Sequence, residues 1–215
     1  MGLNKKSRPQ YPETDVIATL ICWLDQGHKA ALATVISTWG SSPCPPGSHL
    51  AIRDDQAIIG SVSAGCVEAA VIHEAMQAIE GASPLVLEYG VSGEKAWEVG
   101  LACGGELKVL VRRIDDGAAL YREAKMRVDE GFPSGLVTRI SDASSALIGD
   151  GIKSGLMEVS DELVRMALKA AHENKNFVLK IDKESYFIEA VTSPNRLIII
   201  GAVHIAQALA PMAMV

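Results

Sequence analysis

Two stretches of this chain repeat one order of secondary-structure elements, and that repetition limits the fold more than any single motif does. Helix, strand, strand, helix, strand, strand is read twice. KAALATVIS (29–37) matches PSGLVTRIS (133–141), and VEAAVIHEAMQAIEGASPLVLE (67–88) matches ELVRMALKAAHENKNFVLKI (162–181). ELKVLV (106–111) matches ESYFIE (184–189). Strands interleaved with amphipathic helices predict an α/β protein built of two related mixed α/β units. The second copy is shorter, and its losses fall mainly at two loops, one Pro-rich around Cys44 and one carrying Cys103. It also has no cysteine where the first copy has Cys66. Both copies keep the scaffold pattern and only the first keeps these loops. Loops on a rigid scaffold are where function concentrates, so the first copy holds the candidate site.

Local signals place the elements. Thr14 or Asp15 caps a helix running to about Gln26, with Gly27 as its stop. Its apolar stripe, Val16, Ile17, Leu20, Ile21 and Leu24, takes in Cys22, which is expected in the core. Residues 30–38 read as a buried strand, followed by WGSSPCPPGS (39–48), too rich in Pro and Gly for regular structure. Residues 49–53 and 57–62 form a hairpin across Asp54-Asp55-Gln56. A helix is expected over 66–80, with Val67, Val71, Ile72, Ala75, Met76 and Ile79 inward and His73, Gln77 and Glu80 in water. Strands at 84–89 and 106–113 flank the loop GVSGEKAWEVGLACGG (90–105). In the second copy the expectations are a helix at 118–130, a strand at 135–141, a helix capped by Ser160, and strands at 177–181 and 185–191. A short apolar strand at 196–200 and a helix then follow.

Composition excludes some classes of function. Net charge is −6 and no dense Lys/Arg run occurs, so nucleic acid is not an expected partner. No apolar run reaches membrane-spanning length. MGLNKKSRPQYPETD at the N-terminus has basic residues without an apolar h-region, which predicts a cytoplasmic protein with reduced thiols. The four cysteines form no CxxC or CxxH pair, so zinc-finger spacing is absent.

The chemistry centres on GSVSAGCVEAAV (60–71). It reads as a strand that passes through a Ser-Ala-Gly turn and delivers Cys66 to the first turn of a helix. Free backbone N–H groups and the positive end of the helix dipole there suit a thiolate or a bound phosphate. A buried structural cysteine is the alternative reading of that segment. Three glycine-rich loops then stand together, at 39–48, 63–66 and 100–105, and each lets backbone approach a ligand closely. Ser41, Ser42 and Ser48 are oxyanion donors, and Cys66 and Cys103 are soft ligands or nucleophiles.

GSSPCPPG (40–47), GSVSAGCVEA (60–69) and EVGLACGGELKVLV (98–111) resemble the three motifs of the xanthine dehydrogenase accessory factors, the XdhC/CoxI family. The resemblance is close over residues 30–113 and weaker to residue 215. It implies a molybdenum-cofactor-binding maturation factor that delivers molybdopterin to a xanthine dehydrogenase-like molybdenum hydroxylase, without turnover of its own. Carried onto this chain, the cofactor-binding residues are Ser41, Ser42, Gly65, Cys66, Cys103, Gly104 and Gly105, with Cys66 and Cys103 nearest the metal and no catalytic residue. Implied partners are the client molybdoenzyme and a cysteine desulfurase. The implied organisation is a cofactor-binding unit (14–113), a second, degenerate α/β unit (114–193), and the truncated start of a Rossmann-like domain (194–215).

The chain departs from that family pattern. Cys44 stands where a basic residue is common, and Ala64 where Gly is usual. Gly201-Ala202-Val203-His204-Ile205-Ala206 is a dinucleotide fingerprint with Val203 in place of the second Gly, so NAD is not expected to bind. Apolar residues 196–215 are expected to pack on the second copy or on another subunit, which points to a homodimer. Two rival readings stand beside the chaperone: an NAD- or thiol-dependent oxidoreductase, and an interaction scaffold that no longer binds cofactor.

Overall fold

The structure is a computed structural model and describes residues 15–90, 105–114, 118–193, 198–201 and 203–212. The first half runs α1 (Val16–Asp25), β1 (Ala30–Trp39), β2 (His49–Arg53), β3 (Ile58–Gly60), α2 (Glu68–Ile79), β4 (Leu85–Tyr89) and β5 (Glu106–Ile114). The second half runs α3 (Ala118–Glu130), β6 (Ser134–Arg139), β7 (Ser145–Gly149), β8 (Ile152–Gly155), α4 (Asp161–Glu173), β9 (Phe177–Ile181) and β10 (Glu184–Val191), followed by α5 (His204–Met212).

Each half builds its own five-stranded sheet, in the orders β3-β2-β1-β5-β4 and β8-β7-β6-β10-β9. Every neighbouring pair is antiparallel. The two orders are the same topology, so the repeat read from the sequence exists in three dimensions. Three strands, not two, precede the crossing helix in each copy. The hairpin β7–β8 falls in residues 142–159, which carried no assignment. Its signal is Asp150-Gly151 between SALIG and IKSG, with Gly151 at φ +73° closing the turn.

The side-chain alternation of β1 sets the layering. Ala31, Ala33 and Val35 face Val71, Ala75 and Ile79 of α2, together with Leu50, Ile52, Leu107, Val109 and Val111. Ala30 and Leu32 face the other way, into a cluster with Leu20 and Trp23 of α1, Ala118, Tyr121 and Ala124 of α3, and Leu136 and Leu147 of the second sheet. A strand buried on both faces reads as a continuous apolar run, as this one does. The second sheet buries its far face under α4 through Val137, Ile148, Ile188, Leu163, Ala167 and Ala170. The two sheets therefore share one core, with α1 and α3 filed into it.

Arg112 of β5 is 7% exposed and ties the halves together. It donates to the Ala143 carbonyl at 2.9 Å, to Ser145 Oγ at 2.7 Å and to the Tyr121 hydroxyl at 2.5 Å. Cys22 corrects an expectation. The buried residues of α1 are Ala18, Leu20 and Trp23, and Cys22 falls off that stripe, exposed, with Gln26 Nε2 3.3 Å from its sulfur.

The C-terminal expectation is met in part. Residues 198–200 join neither sheet. The helix expected after residues 196–200 is present as α5. It buries no residue, and Ile198, Ile200, Val203, Ile205 and Met212 are exposed. The packing on the second copy that the sequence offered is not made by the described residues.

Candidate functional site

One end of the first sheet gathers the loops that the second copy lacks. β1, β3 and β4 finish there and β2 and β5 begin there, as the pairs Trp39↔Glu106, Tyr89↔Leu107 and Leu50↔Gly60 show. The segment 40–48 is therefore placed beside 61–67 and beside Gly105.

The Pro-rich loop is tied to the sheet at its far end. The Gly47 N–H donates to the Val35 carbonyl at 2.8 Å, and the Ser48 N–H to the Pro45 carbonyl at 3.1 Å. Within it, Ser42 Oγ donates to the Cys44 carbonyl at 3.1 Å. Cys44 is half-buried against the α2-side core, its sulfur 3.9 Å from Ser61 Oγ. An apolar packing role thus replaces the basic residue usual in the family pattern. Gly105 is buried, and a Cβ there would stand 2.7 Å from the Ser41 carbonyl oxygen and 2.8 Å from that of Trp39. The backbones at 39–41 and 105 touch, and only glycine fits.

The second loop is organised by a residue that the sequence reading passed over. Glu68, the first residue of α2, turns its carboxylate back over the loop. Oε1 accepts from Ser61 Oγ at 2.6 Å, the Ser63 N–H at 2.9 Å and the Val62 N–H at 3.2 Å. Oε2 accepts from the Gly65 N–H at 2.9 Å and from Ser63 Oγ. Burial pushes the Glu68 carboxyl up, but the Ser61 and Ser63 hydroxyls and the Ser63 N–H outweigh it and bring it from 4.5 down to about 2. The same two elements raise the half-buried Tyr89 phenol at the end of β4, first by burial and then through the charges of Glu74 and Glu68. The available signal was an acidic residue in the first turn of a helix, five residues beyond Ser63 of a Ser-Val-Ser run.

This arrangement corrects the anion cradle expected over 63–66. The N–H groups of Val62, Ser63 and Gly65 are already satisfied by the protein's own carboxylate. Cys66 also lies outside α2 rather than in its first turn. The helix starts at Glu68, its N-cap is Val67, and Val67 supplies no side-chain cap. Cys66 is exposed, which removes the buried structural alternative. Ser41 is exposed in the first loop, and Gly65 at φ +113° has open space where a Cβ would stand. Ser41 and Gly105 are brought into contact, and a relay of Ser42, Cys44, Ser61 and Glu68 joins the first loop to the second. Cys103 and Gly104 lie outside the described residues. Among the described residues no group of three or more metal-ligating side chains occurs. His73 is exposed and within 2.9 Å of Gln77 Nε2, as expected of the wet face of α2.

Known proteins resemble the chain. It is 29% identical over 113 residues to the molybdenum cofactor insertion chaperone PaoD of Escherichia coli, covering 53% of this chain and 35% of PaoD. It is 30% identical over 87 residues to the uncharacterized protein YqeB of E. coli, covering 40% of this chain and 16% of YqeB. The chain thus spans about a third or less of the length of these curated relatives. A crystal structure described as a xanthine dehydrogenase from Bacillus halodurans shares the fold, with a TM-score of 0.64 at 21% identity, over 85% of this chain and 53% of that one. The model of the XdhC and CoxI family matches residues 23–90, from α1 through β1, the Pro-rich loop, the Glu68-held turn and α2 to the end of β4. The likeness to the XdhC and CoxI family thus lies in the segment that carries the Pro-rich loop and the Glu68-held turn.

Proposed function

We propose that the first repeat, residues 14–113, binds the molybdenum cofactor and holds it for insertion into a xanthine dehydrogenase-like molybdoenzyme, without turnover of its own. One observation carries this reading. Cys66 is exposed on a turn that Glu68 fixes with five hydrogen bonds, in the copy of the repeat that keeps the loops. The family segment and the chaperone relative support it.

The donor set fits one end of the cofactor better than the other. When bound, the cofactor supplies a dithiolene-held metal and a phosphate. A thiol on a rigid, open turn suits the soft metal end. The phosphate does not go to 62–65, where Glu68 has taken the N–H groups. Segments 40–48 and 61–67 contain no Lys or Arg, so its oxygens fall to neutral donors. The exposed Ser41 and the uncapped first turn of α2 are those donors.

The test is the pterin that accompanies the protein on purification, read as its fluorescent oxidised form. The expected result is stoichiometric pterin in the wild type and its loss in Cys66→Ala. A second reading, an interaction scaffold without cofactor, draws on the filled cradle. Wild-type protein that binds apo-enzyme but never pterin would establish that reading and end the carrier proposal.

A further inference from the structure

The second repeat has shed the loops at its own equivalent end, yet its β9–β10 edge reaches back to the first repeat's Pro-rich loop. Asn176, just before β9, donates from Nδ2 to the Pro46 carbonyl at 2.9 Å. Its Oδ1 accepts from the Ala190 N–H of β10 at 2.7 Å. The two partners fix the orientation of the amide, since the carbonyl requires the NH2 and the N–H requires the oxygen. The fit is close: a Cβ on Gly47 would stand 2.0 Å from Asn176 Nδ2, and Gly47 holds φ +91°. The loop's exit is held by the same strand. His49, first in β2, meets Glu189 Oε1 with Nε2 at 2.8 Å and Thr34 Oγ1 with Nδ1 at 3.1 Å. The His49 and Glu189 side chains are 10% and 15% exposed, so this link is shielded from water.

We propose that the second repeat serves as a clamp on the Pro-rich loop, and that Asn176 is a positioning residue that sets that loop for ligand binding. Neighbouring residues 189 and 190 of β10 anchor both grips, one through Glu189 and the other through the Ala190 N–H that orients Asn176. Ser41 and Ser42 lie on the far side of the same loop, where Gly105 presses on the Ser41 carbonyl. A loop held at 46–49 and at 41 has little freedom left between those points. The positioning role rests on the cofactor-carrier reading; the clamp itself does not.

Asn176→Asp in the full chain tests both. Aspartate keeps the oxygen that accepts from Ala190 and loses the donor to Pro46. Hydrogen exchange of the peptide covering 40–49 is expected to speed up about tenfold at the Gly47 and Ser48 amides, the signature of local opening. Pterin affinity is expected to weaken about tenfold while the urea midpoint of the whole protein stays near wild type. Asn174→Asp is the control. The Asn174 side chain accepts from Thr192 Oγ1 at 2.8 Å and not from the loop, and its replacement leaves loop exchange unchanged. Unchanged exchange in Asn176→Asp overturns the clamp. Faster exchange with undiminished pterin affinity overturns the positioning role. Faster exchange in a protein whose wild type binds no pterin upholds the clamp and defeats the carrier reading instead. Should the aspartate variant not fold, Asn176→Ser removes the reach to Pro46 without adding a charge and carries the same readouts.

Discussion

Replacing Glu68 by glutamine isolates the turn that presents Cys66. The carboxylate accepts from Ser61, Val62 and Ser63 on one oxygen and from Ser63 and Gly65 on the other. Glutamine has one acceptor oxygen and must turn an NH2 towards one of those two sets. Turning it towards Ser63 Oγ and the Gly65 N–H costs less, because the hydroxyl can rotate and only the Gly65 N–H is left unmet. A hydrogen bond to a charged acceptor contributes about 1.5–3 kcal/mol, and the half-exposed site lets water replace part of it. The expected loss is about 1–2 kcal/mol, or about 2–8 °C in Tm for a chain of this size. The pH dependence gives the sharper test. The folded carboxyl, at about 2, lies below its ordinary 4.5, so between these values the unfolded state binds more protons than the native state. The Glu68 contribution is complete above pH 4.5 and drains away as pH falls towards 2. Urea unfolding of wild type and Glu68→Gln should therefore differ most near neutrality and converge as pH falls from about 5 to about 3. A stability difference that is the same at both ends would show that the charge of Glu68 does not hold the turn.

Other substitutions read other parts of the argument. Gly105→Ala drives a methyl into the Ser41 and Trp39 carbonyls, backbone atoms that cannot swing away. A loss of about 1–3 kcal/mol in urea unfolding is expected, together with reduced pterin binding. Arg112→Met leaves the Ala143 carbonyl, Ser145 and Tyr121 without their buried donor. It should cost about 2–4 kcal/mol and broaden the denaturation transition as the two halves lose their tie. Cys66→Ala, at an exposed position, should change stability by no more than about 0.5 kcal/mol while abolishing pterin retention, which calorimetry and fluorescence separate.

The scaffold was legible where a periodicity had a single cause. The apolar run of β1, the stripe of α2 and the Ser160 cap of α4 follow from local chemistry, and their repetition identified the architecture. Less was legible where a tertiary partner decides. Cys22 sits inside an apolar helix, yet its exposure depends on which three of the helix's neighbours meet the sheet. The apolar residues 198–200 have strand composition and join neither sheet. At the site, glycines and serines announced a binding loop, but the sequence could not say that Glu68 would reach back and occupy its N–H groups. The carboxylate's choice between covering its own helix start and bracing the preceding turn is set by the fold.

The repeat itself supplies the comparison that gives this choice meaning. α2 and α4 occupy equivalent places, yet their first turns are finished in opposite ways. α4 is closed by Ser160, whose Oγ accepts from the Leu163 N–H at 3.3 Å, with Asp161 and Glu162 behind it. α2 begins at Glu68 with Val67 as an N-cap that offers no side-chain bond, and its own acid turns away into the loop. A cap of the first kind contributes about 1 kcal/mol, so α2 gives up stability that the scaffold demonstrably permits. The first copy also carries the glycine at 105 that admits the Ser41 backbone and the Gly47 that admits Asn176, both positions where packing is traded for close approach. These three features fall at one end of one sheet, in the copy that carries Cys66, and the second copy closes its equivalent helix without the first of them. They are better explained by what the loops must receive than by how the chain must pack.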